Sequence, residues 1–282
     1  MSLFKTLKNG AVNAASSYKL ILLVWITTLV LALAVAFPLR ASFNMIFGNS
    51  MAIERLNDGF DIGLAGDIGR PFGALMASLS AGSFLILTAG FFLMTFFAGG
   101  LFKRFTLAWG GLKVSDFLRA SANNFIPFLK IALLMMLIIG AYTFILLGLP
   151  GILNMALSGS QMPSGKFMYL LYGLWALGLP VWLFVADASR RWIASTGSKK
   201  VFRALGSGFR LLNERFWLSY LTVLVVFIIN AIFIAVTFWF AAKAMPDRGI
   251  EVFLFFIAAQ SLFILRLFMK AWRYAAVSVA AQ

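Results

Sequence analysis

Between Lys19 and Arg40 the chain runs for twenty residues without a charge, and intervals of this kind recur along its 282 residues. A bilayer core about 30 Å thick takes roughly 20 apolar residues in a helix, so the charge-free lengths constrain the fold before anything else does. Six spans follow from them. The first is Leu20 to Leu39. The second lies near Leu75 to Phe97, within the 32 uncharged residues between Arg70 and Lys103, with Gly99 and Gly100 as a frayed end. The third is Ile131 to Leu149, closed by the helix stop Leu149-Pro150-Gly151 and the loop run Ser158 to Gly165. The fourth is Phe167 to Ala186, kinked at Pro180, and the fifth is Phe216 to Ala242. The sixth starts at Val252 and reaches spanning length only by continuing past Arg266 to about Trp272.

Composition agrees with this reading. Hydrophobic residues make up 62% of the chain and charged residues 12%, with 31 Phe, whereas a soluble domain carries about twice that charge. The absence of Cys and His excludes disulfides, Cys/His zinc sites, His-ligated haem and imidazole catalysis. The first span imitates a signal peptide through Ala34-Val35-Ala36. Its apolar run is long for one, so it is expected to be retained as a signal anchor.

Lys and Arg fall on one side of these spans. Three precede the first span, five lie between the second and third, seven between the fourth and fifth, and Arg266, Lys270 and Arg273 close the chain, against six on the other side. Positive residues are retained on the cytoplasmic face, so both termini are expected to be cytoplasmic in a bacterial inner membrane. Six of the nine acids lie on the outer side, so the whole net charge of +15 belongs to the inner face.

Three basic segments preceding spans have helical periodicity and are expected to be amphipathic interfacial helices. In the first, Leu3, Phe4, Leu7, Ala11 and Ala14 share an arc. In the second, Val114, Phe117, Leu118, Phe125 and Phe128 do so, after an N-cap at Ser115. In the third, Val201, Phe202, Leu205, Phe209, Leu212 and Phe216 oppose Lys199, Lys200, Arg203, Arg210 and Glu214, and Gly206-Ser207-Gly208 marks a bend. The expected fold is therefore an all-α integral membrane domain over 1–282. It comprises three hairpins, 1–102 with an outer loop at 40–70, 103–186, and 187–282, each led by an interfacial helix, with internal duplication and simple membrane-adjacent amphipathicity both open. The outer loop should hold one short helix from Ser50. Its acids, Glu54, Asp58, Asp61 and Asp67, lack EF-hand spacing and read as a solvated surface.

Few side chains offer chemistry. Ionisable or polar groups inside spans are functional suspects because burying them is costly. The candidates are Asp187, Glu251, Asn230 and Gln260. Asp187 with Arg190 and Arg191 reads as a local ion pair at the interface, and Asn230 with Gln260 as a hydrogen-bonded pair between the last two spans. Neither a serine–base set, nor two facing carboxylates, nor a Gly-rich phosphate loop is present, so no catalytic residue, metal or cofactor is expected. The basic residues alternate with aromatics at the lipid boundary, so anionic phospholipid, not nucleic acid, is the expected partner. Its contacts would be Lys199, Lys200, Arg203, Arg210, Arg266, Lys270 and Arg273.

The segment Asp187, Ala204, Leu205, Gly208, Phe209, Phe216, Trp217 resembles bacterial membrane proteins related to the membrane domain of glycerophosphodiester phosphodiesterases. Gly99-Gly100-Leu101, Asp116-Phe117-Leu118 and Asn124-Phe125 are similar to an earlier connection in those proteins. The resemblance covers about a third of the chain. It implies a six-helix membrane fold and assigns no catalytic residue, and the phosphodiesterase domain has no counterpart here. The leading expectation is a non-enzymatic accessory or scaffold subunit that contacts other membrane proteins. A small-molecule or lipid transporter with a cavity near Pro180, Asn230 and Gln260, and a lipid-organising protein, are the alternatives.

Overall fold

A computed structural model describes residues 2–47, 70–107, 113–158, 165–243 and 249–281. Those residues form helices with no strand among them: α1 (Leu3–Ala15), α2 (Tyr18–Phe47), α3 (Arg70–Thr106), α4 (Val114–Thr143), a π-helical turn (Phe144–Gly148), α5 (Leu149–Ser158), α6 (Gly165–Thr196), α7 (Val201–Glu214), α8 (Phe216–Lys243) and α9 (Gly249–Ala280). Six stretches are long and apolar enough to cross a membrane: Tyr18–Met45, Met76–Thr106, Val114–Leu153, Lys166–Thr196, Phe216–Lys243 and Gly249–Ala280. The short helix expected from Ser50 falls outside the described residues.

Several helices run further than the charge-free intervals. Arg40 does not end α2, because a long basic side chain at a helix end can reach polar surroundings while its backbone stays helical. Gly99 and Gly100 lie inside α3 and do not fray. A Cβ on Gly100 would sit 2.5 Å from the Phe117 ring and from Ser121 Oγ, so the glycine lets α4 approach α3 closely. The expected stop at Pro150 is overridden. A π-helical turn precedes it, and Pro150 is the second residue of α5, where its missing N–H interrupts least. Lys113, not Ser115, occupies the N-cap of α4, without a side-chain cap bond. The amphipathic segment and span that follow are one uninterrupted helix. Gly208 lies within the unbroken helix α7. A Cβ there would lie 2.8 Å from the Val185 carbonyl and 2.7 Å from Ser189 Oγ, so it lets α7 rest on α6.

The chain divides into two compact units, Leu23–Met94 on one side and Met1–Leu22 with Thr95–Gln282 on the other. In the smaller unit Gly82 faces Val35 and Leu39, whose methyls lie 3.2–3.3 Å from where a Cβ would be. Thr27 and Thr28 hydroxyls donate to the Leu23 and Val24 carbonyls, while Phe84 and Leu87 are exposed.

The larger unit is buried chiefly at its basic end. Phe102, Phe117, Phe128, Ile131, Phe184, Val185 and Ile193 form its centre with the end of α9, where Tyr274 to Ala280 are buried without exception. A helix apolar and buried all round belongs to a core, so this terminal segment is not merely a basic tail to the sixth span. Phe102 stacks obliquely on Tyr274 at 4.6 Å and edge-on to Phe128 at 5.9 Å. α1 lies on α9 through Thr6, Gly10 and Ala14, with a Gly10 Cβ placed 2.8 Å from the Ala276 Cα. The packed face is this small-residue stripe, and Phe4, expected on the apolar arc, is exposed. Trp272 Nε1 donates to the Leu7 carbonyl at 3.0 Å and fixes the pair. On α7 the buried residues are Val201, Ala204, Leu205, Gly208 and Leu212, while Phe202 and Phe209 lie exposed at the edge of that face.

Candidate anion-binding site at the basic end

Four cations surround a cavity of about 850 Å³ at the basic end: Lys103 from α3, Arg119 and Lys130 from α4, and Lys199 beyond α6. Arg119 and Lys130 are eleven residues apart, about three helical turns, so they share one face of α4 with Asn123 between them. Splitting that helix into an amphipathic segment and a span hid this register. Pro127 and Asn124 complete the wall, and Asp116 is its one acid.

The far wall is the end of α6. Gly197 adopts φ +68, the left-handed conformation that closes helices, and its N–H donates to the Ile193 carbonyl at 2.8 Å. The next carbonyl, Ala194, accepts from Lys103 Nζ at 3.3 Å. Carbonyls at a helix C-terminus carry partial negative charge, so the lysine caps α6 and is held at the cavity wall. Lys103, Arg119, Lys130 and Lys199 pair with no carboxylate among the described residues. An open cavity walled by four cations and one acid attracts anions, and its volume accommodates a phosphate-bearing headgroup.

On α6, seven residues before Ala194, Asp187 is fully buried. It accepts from Arg190 Nη1 at 3.2 Å and from Arg273 Nε at 2.7 Å. The local pair foreseen with Arg190 is present, and the stronger partner comes from α9. Arg273 thus turns inward from the headgroup stripe in which the sequence placed it, its guanidinium also lying 5.4 Å from the Tyr274 ring. Arg191 takes no part in the pair, and its Nε, like that of Arg190, is buried without a hydrogen-bond partner.

The remaining expected contacts are dispersed. Lys200, at the N-cap of α7, and Arg203, on that helix, are exposed, and Arg210 hydrogen-bonds Glu214 at 2.7 Å on the same helix. That bond, with the charge of Glu214, raises the Arg210 pKa and keeps it cationic. Arg266 is exposed on α9 and Lys270 half-buried. Asn230 and Gln260 are half-buried on α8 and α9. Around Pro180, Tyr142 donates to the Leu174 and Trp175 carbonyls, Trp175 Nε1 donates to Thr143 Oγ1, and Tyr220 donates to the Leu177 carbonyl. Trp182 lies against Tyr142 with ring centroids 6.0 Å apart. Among the described residues no group of three His, Cys, Asp or Glu could hold a metal ion.

Six helices able to cross a bilayer make the chain a multi-pass α-helical membrane protein. Comparison with family models, with curated proteins and with solved structures finds no match to it.

Proposed function

We propose that this chain is a non-enzymatic, lipid-organising protein of a bacterial inner membrane, gathering anionic phospholipid at a cytoplasmic basic end. The observation that carries this reading is the cavity walled by Lys103, Arg119, Lys130 and Lys199, none of which pairs with a carboxylate among the described residues. Basic pockets on the inner face of membrane helices suit phospholipid headgroups, and each Lys or Arg near an anionic leaflet contributes about 1 kcal/mol. α1 and α7 would serve as interfacial helices. In both, the buried face is flanked by exposed aromatics, Phe4 on α1 and Phe202 with Phe209 on α7, which suits insertion at the headgroup boundary. In this reading the chain forms three hairpins with cytoplasmic termini, and α1, α7 and the cavity belong to that membrane face.

This reading stands ahead of the accessory-subunit one, which would add partner proteins on the exposed apolar flanks. Spin-labelled lipids in reconstituted vesicles test it. The protein should immobilise phosphatidylglycerol in preference to phosphatidylcholine, by a margin that falls with added salt and with Arg119→Gln/Lys130→Gln. Equal immobilisation of the two lipids would overturn it.

A further inference from the structure

The basic cavity is longer along α4 than the headgroup layer of a bilayer is deep. Lys130 directly precedes the charge-free run that begins at Ile131, and the next exposed side chains of α4, Leu133, Met136 and Leu137, are apolar. Lys130 therefore stands at the edge of the hydrocarbon. Arg119, eleven residues earlier in the same helix, lies about 16 Å further out.

α6 gives the same depth independently. From Lys166 onward its exposed side chains, Phe167, Tyr169, Leu170, Leu174 and Leu177, are apolar or aromatic and mark the part that faces lipid. A hydrocarbon core about 30 Å thick takes roughly twenty residues of helix, which ends near Ala186. Ala194, whose carbonyl accepts from Lys103 Nζ, lies about 12 Å beyond that point, and Lys199 follows the end of the helix. A helix tilt of about 20° changes these distances little. The headgroup layer on each side of the core is only about 5–8 Å deep. Lys130 thus stands within reach of an ordinary phospholipid phosphate, whereas Lys103, Arg119 and Lys199 form a second cationic level past it. Between the two levels the wall carries amides and no charge. Asn123 lies between Arg119 and Lys130, and Asn124, whose Nδ2 donates to the Ala120 carbonyl at 3.0 Å, keeps its oxygen as an acceptor. Amides of this kind suit hydroxyl groups.

We propose that the cavity selects phospholipids whose hydroxylated headgroup carries a second phosphate at its far end. The inner phosphate meets Lys130, the hydroxyls meet Asn123 and Asn124, and the outer phosphate sits among Lys103, Arg119 and Lys199. A terminal phosphate monoester carries close to two negative charges at neutral pH, which matches three cations facing the one acid, Asp116. This inference rests on the reading of the cavity as an anionic-lipid site and adds Arg119 as the residue that sets headgroup choice.

The probes are phosphatidylglycerol and phosphatidylglycerol phosphate, which differ only in the terminal phosphate, with glycerol bisphosphate as the chain-free form. Each is titrated into the full-length protein in mild detergent and read by native mass spectrometry. Wild type should hold phosphatidylglycerol phosphate about tenfold more tightly than phosphatidylglycerol. Arg119→Gln should remove most of that advantage, and Lys130→Gln should weaken both lipids alike. Both positions are exposed, so the melting temperature should hold, and Lys199→Gln is the second outer-level variant if it does not. Equal retention of the two lipids, each above phosphatidylcholine, would overturn the selectivity and leave the anionic-lipid reading standing. Retention of neither above phosphatidylcholine would overturn both. An advantage that Arg119→Gln and Lys199→Gln leave intact would also overturn the proposal. So would glycerol bisphosphate binding as tightly as its lipid, which points to a soluble bisphosphate as the ligand.

Discussion

Replacing Asp187 by alanine strikes the most constrained contact in the larger unit. Its carboxylate is fully buried between two guanidiniums whose side chains are only 14% and 20% exposed. Removing it leaves Arg190 and Arg273 as nearly buried cations without a counter-ion. Removing one partner of a buried pair costs about 3–5 kcal/mol. The bond to Arg273 also joins α6 to the segment of α9 that forms the core, so the loss cannot be absorbed locally. At about 2–4 °C per kcal/mol for a chain of this size, Asp187→Ala should lower the apparent Tm by about 6–20 °C. The assay is tryptophan-fluorescence melting in a mild detergent at fixed scan rate, because membrane proteins often unfold irreversibly. Asp187→Leu, Arg273→Met and the double variant Asp187→Leu/Arg273→Met complete a cycle. The double variant removes both charges and fills the space, so it should be more stable than Asp187→Ala alone. A Tm within about 2 °C of wild type for Asp187→Ala, or strictly additive losses in the cycle, would refute the argument.

Other contacts give smaller, separable effects. Gly100→Leu drives a side chain into the Phe117 ring and Ser121, and should destabilise by more than about 3 kcal/mol, read as loss of folded protein on size-exclusion chromatography. Trp272→Phe keeps the ring packing but loses the bond to the Leu7 carbonyl. It should cost about 1 kcal/mol and make α1 the first segment cut in limited proteolysis. Phe202→Glu alters an exposed ring, so the melting temperature in detergent should stay within about 2 °C while headgroup-region spin labels near α7 report greater water access. A shift of Tm beyond that would mean the ring packs on the protein.

The spans were legible because a lipid solvent leaves an unmistakable mark: twenty uncharged residues need no tertiary context to be read. Helix ends were not. Arg40, Lys103 and Arg266 interrupt the apolar runs without interrupting the backbone, since their side chains can extend away from it. Pro150 looked like a stop because its missing N–H is costly in a regular helix, and the π-helical turn before it carried no local signal. The end of α9 was missed for a different reason. Tyr274-Ala275-Ala276-Val277-Ser278-Val279-Ala280 is too short to span and too apolar to be solvated, a pattern that means core only when helices from elsewhere surround it. Asp187 was recognised as an ion pair, but its better partner lies 86 residues away, beyond any helical periodicity. The cavity cations are all visible in the sequence, where Lys199 reads as a lipid contact and Lys103, Arg119 and Lys130 read as orientation signals. What assembled them was the register of Arg119 with Lys130 and the capping of α6 by Lys103, which the continuous α4 and the fold supply.

The claim that anionic lipid occupies the basic cavity is tested most directly by native mass spectrometry of the detergent-solubilised protein titrated with phosphatidylglycerol. Wild type should retain at least one lipid that phosphatidylcholine does not displace. The triple variant Arg119→Gln/Lys130→Gln/Lys199→Gln removes three cations worth about 1 kcal/mol each and should weaken that retention about a hundredfold. Retention unchanged in the triple variant, with its Tm preserved, would contradict the account.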